Sequence, residues 1–126
     1  MNLLYKSTRD AEKTVTASQA ILKGLADDGG LFVPVSIPKL PVSLGELKEM
    51  TYQEIAYIVM KEFLTDFTEE ELKSCIAKAY DSKFDTEEIA PLAKVEDAYY
   101  LELFHGATIA FKDMALSILP HLMITS

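Results

Sequence analysis

The sequence has a single cysteine, Cys75, so no internal disulfide can brace it. Two histidines and that one cysteine, far apart along the chain, do not make a zinc site, and no metal is expected. Bases are scarce: 12 lysines and arginines stand against 20 acids, for a net charge of −8. Phosphate backbones are gripped by clustered Lys and Arg, so nucleic acid is not expected as a partner, and neither is an anionic membrane surface. No apolar run approaches the roughly 20 residues of a membrane span. The stretch Met1 to Lys6 lacks the apolar core of a signal peptide, so a cytoplasmic location is expected. The sequence shows neither internal repeats nor low-complexity linkers.

What is there is a soluble globular composition, 49% hydrophobic and 25% charged. A length of 126 residues suffices for one compact domain with a modest core. Leu3 to Ser7 predicts a short strand. Thr16-Ala17-Ser18-Gln19 is a capping box, which satisfies free amide groups at a helix start. Ala17, Ala20, Ile21, Gly24 and Leu25 continue it as a helical stripe. Asp27-Asp28-Gly29-Gly30 stops that helix, and Leu31-Phe32-Val33 predicts a strand ended by Pro34. Pro38 and Pro41 mark a surface connection.

Three more boxes follow: Ser43 with Glu46, Thr51 with Glu54, and Thr68 with Glu71. Each opens a predicted helix. The expected packing faces are Leu44 and Leu47; Tyr52, Ile55, Ala56, Val59 and Phe63; and Leu72, Cys75, Ile76, Ala79 and Tyr80. Cys75 therefore reads as inert packing. Acid runs such as Glu69-Glu70-Glu71 read as solvated helix starts. Asp81 to Glu88 is polar and turn-like. Pro91 to Val95 is expected to be extended, with a turn at Glu96-Asp97 and a strand over Tyr99 to Phe104.

The chain is organised around Leu101-Glu102-Leu103-Phe104-His105-Gly106-Ala107-Thr108-Ile109-Ala110-Phe111-Lys112-Asp113. It reads as a strand, a glycine turn and the start of an apolar helix. A helix running on from about Ala110 puts Lys112, Leu116, Leu119 and Met123 one above another. Pro120 should kink or end it, for want of an amide hydrogen. A lysine on such a face snorkels, pairs with an acid, loses its proton or becomes covalently modified. From spacing alone the plainer reading is a snorkelling lysine. Thr108 is a candidate cap for this helix. His105 reads as a turn histidine bonded to backbone. Gly106 supplies a backbone shape that a side chain would block. Phe104 and Phe111 read as core.

The run "ELFHGATIAFKDMAL" resembles the cofactor-lysine segment of threonine synthases, with Ala107 where the family usually has proline. "VTASQAILKGLADDGGLFVP" is similar to the N-terminal segment of the same family. The resemblance reverses the reading of Lys112. It implies that Lys112 is the catalytic residue and holds pyridoxal 5′-phosphate (PLP) as a Schiff base, with His105 and Thr108 as further cofactor-pocket candidates. It implies an α+β N-terminal domain, mainly helical with short strands, over residues 1–93. The first strand and helix of a fold type II PLP α/β lobe, truncated, would then occupy residues 94–126. The implied reaction converts O-phospho-L-homoserine and water to L-threonine and phosphate, the last step of threonine biosynthesis.

The same resemblance covers only the front of such an enzyme. The parts that would hold the cofactor phosphate, the pyridine nitrogen and the substrate phosphate lie downstream in the family. The 126-residue chain alone is thus expected to be inactive and to self-associate through its C-terminal helix. Two other readings stay open: a non-catalytic fragment or binding domain of threonine-synthase shape, and another fold type II PLP lyase.

Overall fold

The computed structural model describes residues 2–126. Three short strands form an antiparallel sheet in the order β2-β1-β3: β1 (Tyr5–Ser7), β2 (Thr14–Val15) and β3 (Phe32–Pro34). Tyr5 lies opposite Val15 on one side of β1 and Pro34 on the other. Proline is tolerated there because β3 is an edge strand, where no ladder amide is needed. The strands are shorter than the sequence reading. Leu3 and Leu4 precede β1, and Leu31 stands outside β3 in an isolated bridge with Leu25.

Helix α1 (Ala17–Lys23) opens on the predicted box: Thr16 accepts the Gln19 amide, and the Gln19 side chain accepts the Thr16 amide. It closes two residues before the stripe does. Gly24, at φ +73°, turns the chain out through a conformation that L side chains rarely adopt, and Leu25 leaves the helix.

The other three boxes also form. Ser43 starts α2 (Leu44–Leu47), Thr51 starts α3 (Tyr52–Phe63) and Thr68 starts α4 (Glu69–Ala79), each with the reciprocal Glu bond. All five predicted residues on α4 are buried: Leu72, Cys75, Ile76, Ala79 and Tyr80. They form the core with Phe84, Ile89, Ile118 and Leu122. Thus Asp81 to Glu88 is a turn, as its polarity predicts, but it carries one apolar anchor inward at Phe84 and delivers the chain to another at Ile89.

Two packing faces differ from the sequence reading. On α3 the residues laid against the core are Tyr52, Ala56, Tyr57 and Met60. Of the predicted set, Ile55, Val59 and Phe63 are only partly covered. On α2 Leu44 is 83% exposed. A four-residue helix offers little face, and of the expected pair only Leu47 is partly covered.

A hairpin follows, β4 (Leu92–Val95) and β5 (Ala98–Leu101), with Leu92 opposite Leu101 and Val95 opposite Ala98. The second strand ends three residues before the predicted Phe104. The Glu102 amide still donates to the Pro91 carbonyl at 3.0 Å, and then the chain leaves the ladder.

The single terminal helix of the sequence reading is two: α5 (Asp113–Leu116) and α6 (Leu119–Thr125). Pro120 causes the break. It has no amide hydrogen to give the Leu116 carbonyl, and its ring would strike that carbonyl in a continuous helix. In the first turn of α6 the missing hydrogen costs nothing. Lys112, Leu116, Leu119 and Met123 therefore do not lie on one helical face. No helix among the described residues is long and apolar enough to cross a membrane.

Candidate functional site

The segment from Leu103 to Leu116 leaves the hairpin, closes a tight loop and enters α5. The loop is built on Asp113. This aspartate is only 6% exposed, and its carboxylate accepts two bonds from one residue. The Thr108 amide donates to Oδ2 at 2.8 Å, and the Thr108 hydroxyl donates to Oδ1 at 2.6 Å. Gly106 lies against the same carboxylate. A Cβ on Gly106 would meet Asp113 Cβ at 2.5 Å and Oδ2 at 2.6 Å. The need for glycine here is therefore close approach, not an unusual φ. Within the loop Ile109 takes a positive φ of 63°, a strained conformation for a β-branched residue, and its amide donates to the Gly106 carbonyl.

Thr108 is thus not the cap expected of it. The residue before α5 is Lys112, in helical conformation and with no side-chain cap bond. The helix it opens has four residues. Lys112 is exposed, and its amine has no hydrogen-bond or ion-pair partner among the described residues. It stands at the edge of an apolar groove of about 700 Å³ whose lining includes Tyr52, Ile55, Leu103, Phe111, Met114 and Leu116. The predicted apolar neighbourhood of Lys112 is real, but the groove supplies it, not a helical stripe.

His105 also differs from its sequence reading. Its ring bonds to carboxylates and not to backbone: Nδ1 to Asp85 at 2.5 Å and Nε2 to Glu102 at 2.7 Å. The backbone is tied as well, since the Asp85 amide donates to the His105 carbonyl at 3.0 Å. Glu102 first, then Asp85, hold the imidazole pKa above the ordinary 6.5 and favour the imidazolium, which donates from both nitrogens. With both nitrogens engaged, His105 is a brace between the turn and the lysine segment. Its ring lies 4.5 Å, centre to centre, from that of Phe104. Phe104 and Phe111 are not core: they are 49% and 68% exposed. The fold brings Lys112 and Thr108 together in one loop, with His105 at its entrance.

Residues 4–80 match the family model described as threonine synthase N terminus. The chain belongs to the threonine synthase family. It is 42% identical over 122 residues to threonine synthase of Schizosaccharomyces pombe, which covers 94% of this chain and 24% of that protein. Human threonine synthase-like 1 is 41% identical over 123 residues, 90% of this chain and 16% of that one. Among solved structures, yeast threonine synthase superposes with a TM-score of 0.86 at 34% identity, over 96% of this chain and 26% of that chain. The PLP-bound threonine synthase from Brucella melitensis gives 0.85 at 31% identity, over 97% and 27%. The chain spans about a quarter of the length of the threonine synthases it matches. These neighbours agree with the α+β domain expected from the resemblance.

Asp85 escaped the sequence reading, and Asp113 entered it only as the acid next to Lys112, not as the partner of Thr108. Asp113 carries a faint local signal, a carboxylate five residues after a threonine with a glycine just before. Asp85 carries none, because it reaches His105 from twenty residues away.

Proposed function

We propose that this chain contributes the cofactor lysine of a PLP-dependent threonine synthase, acting on O-phospho-L-homoserine and water to give L-threonine and phosphate. One observation carries the reading. Within the family segment, the Lys112 amine stands without a partner at the edge of an apolar groove, as a nucleophilic amine should. The residues present fit the cofactor: Lys112 Nζ would hold it covalently, and the groove beside it is apolar enough to shed water from a flat ring. When bound, PLP supplies an electron sink for negative charge on an adjacent substrate carbon.

The chain's own part is narrower. Lys112 Nζ, once released, carries protons to and from substrate carbon. The Gly106–Asp113 loop fixes where that amine emerges. The His105 brace ties the loop to the turn below it. The hairpin and α5 are proposed to begin a fold type II α/β lobe at residues 94–126, after an N-terminal domain over 1–93, in a cytoplasmic enzyme.

The test is borohydride reduction and peptide mapping of an enzyme that carries this segment together with the rest of the family's length. The pyridoxyl group should sit on Lys112, and its appearance on another lysine would end the assignment. Lys112→Ala should abolish turnover. Lys112→Arg should fail equally, because it keeps the charge and loses the reactive amine.

A further inference from the structure

We infer that Asp113 is a positioning residue for Lys112: its buried carboxylate grips Thr108 and thereby sets the direction from which the lysine amine meets an aldehyde. The inference rests on the reading of Lys112 as the cofactor lysine. Three observations carry it. Asp113 is nearly inaccessible, although an ionised carboxylate is costly to bury and tends toward the surface. Its two oxygens are both occupied by Thr108, through amide and hydroxyl. Gly106 is packed so closely on the carboxylate that a methyl group there would displace it. Together they close residues 106–113 into a clasp, and Lys112 is the residue at its hinge.

The clasp has no capping duty to explain it. No side chain caps α5, and neither Thr108 nor Asp113 belongs to the hydrophobic core. What it does fix is the backbone on either side of Lys112. An amine on four flexible carbons gains reactivity when its attachment point is held, because fewer orientations are lost at attack.

The experiment uses the 126-residue chain and PLP itself. Each variant is incubated with PLP and reduced with borohydride, which traps even weak capture. Pyridoxyl groups are then mapped, and Lys112 is scored against the other lysines as internal reference. Far-UV circular dichroism checks that each variant is folded. Thr108→Val keeps the shape and the amide bond but loses the hydroxyl bond. Thr108→Ser restores that bond. Asp113→Ala removes the grip, while Asp113→Asn can keep both bonds without the charge.

Lys112 labelling relative to the other lysines should fall by about tenfold in Asp113→Ala. It should fall less in Thr108→Val and recover in Thr108→Ser and Asp113→Asn. Equal relative labelling in wild type, Asp113→Ala and Thr108→Val overturns the inference and leaves Lys112 as the cofactor lysine. A loss in Asp113→Asn as large as in Asp113→Ala overturns it too, because charge and not grip would then be at work. Wild-type chain with no excess label on Lys112 overturns this inference, because the clasp would then give the amine no advantage of its own; the cofactor reading stands or falls separately, with the mapping of the longer enzyme.

Discussion

Tyr80 donates its hydroxyl proton to the backbone carbonyl of Met114 at 2.7 Å. The bond ties the C-terminal end of α4 to α5, the short helix that Lys112 opens. Tyr80 is buried at 3% exposure, packs edge-on against Tyr52 at 4.9 Å between ring centres, and lies 5.9 Å from Phe84. Burial first, and the neighbouring Tyr52 second, push its phenol pKa well above the ordinary 10, so the proton stays in place for donation. Tyr80 is also the last residue of the match to the N-terminal family model. One side chain thus joins that region to the lysine segment.

Tyr80→Phe removes the bond and leaves the ring. It should cost about 1–3 kcal/mol, because a part-buried carbonyl loses its donor. Tyr80→Ala also opens a cavity in the core and should cost about 3–5 kcal/mol. Urea denaturation of the chain measures both. A Phe variant as stable as wild type would show that the Met114 carbonyl finds another donor and that the tie is dispensable.

The capping boxes are chemically alike, but they start helices of different worth. Thr68 opens α4, whose buried face is the centre of the core, and Thr68→Ala should cost about 1 kcal/mol of global stability. Ser43 opens α2, which has no buried residue. Ser43→Ala should therefore speed amide hydrogen exchange within residues 44–48 while the denaturation midpoint stays put. A midpoint shift as large as that of Thr68→Ala would mean that α2 is coupled to the core after all.

Local chemistry explains what the sequence made legible. The starts of α1 to α4 were readable, because a Thr or Ser and a Glu or Gln three residues apart satisfy each other without help from the fold. The buried face of α4 was readable because a single stripe meets a single core. Long-range geometry explains the rest. The turn histidine found its partner in Asp85, which no spacing rule connects to it. Thr108 was drawn away from a cap by a carboxylate five residues on. The terminal stripe was apolar enough to read as one helix, and only the steric cost of Pro120 at Leu116 divides it. The family segment singled out Lys112, whereas no local pattern foretold the groove beside it, which is assembled from α3, the hairpin and α5.

His105 gives a pH dependence with a definite sign. Its pKa is raised in the folded chain by Glu102 and Asp85, above the ordinary 6.5 that it regains on unfolding. The folded state therefore holds the proton more tightly. The stability this contributes is complete below pH 6.5 and is lost as pH rises through the folded value. His105→Gln should flatten the stability profile from just below pH 6.5 upward, with its largest loss at the acid end of that window. Denaturation midpoints at a series of pH values read this directly. A wild-type profile that rises with pH across the same window would contradict the carboxylate brace.

Phe111, Leu116, Leu119, Met123 and Ile124 are exposed on the terminal segment, while Ile118 and Leu122 are buried in the core and Met114 packs against it. The hairpin adds Leu92, Val95, Tyr99, Tyr100 and Leu101, exposed on both of its faces. Two strands with apolar residues on both faces are what a buried sheet offers, and an isolated hairpin is marginal in water. Each fully exposed Leu, Ile or Phe side chain forgoes about 1.5–3 kcal/mol of burial, so covering even a few outweighs the cost of holding two copies together. The chain should therefore self-associate, through its terminal helices and hairpin, at micromolar concentration. Sedimentation should show species larger than a monomer. Leu116→Lys together with Tyr99→Lys should restore the monomer without lowering the free energy of unfolding by more than about 0.5 kcal/mol, since both side chains are exposed. The same chain should give no tight, saturable absorbance change with PLP and no turnover of O-phospho-L-homoserine, because the groove beside Lys112 is open and, among the described residues, its lining offers an anion only Lys112 itself. A clean monomer that binds PLP stoichiometrically and releases phosphate would show that this quarter of the family's length is an enzyme by itself.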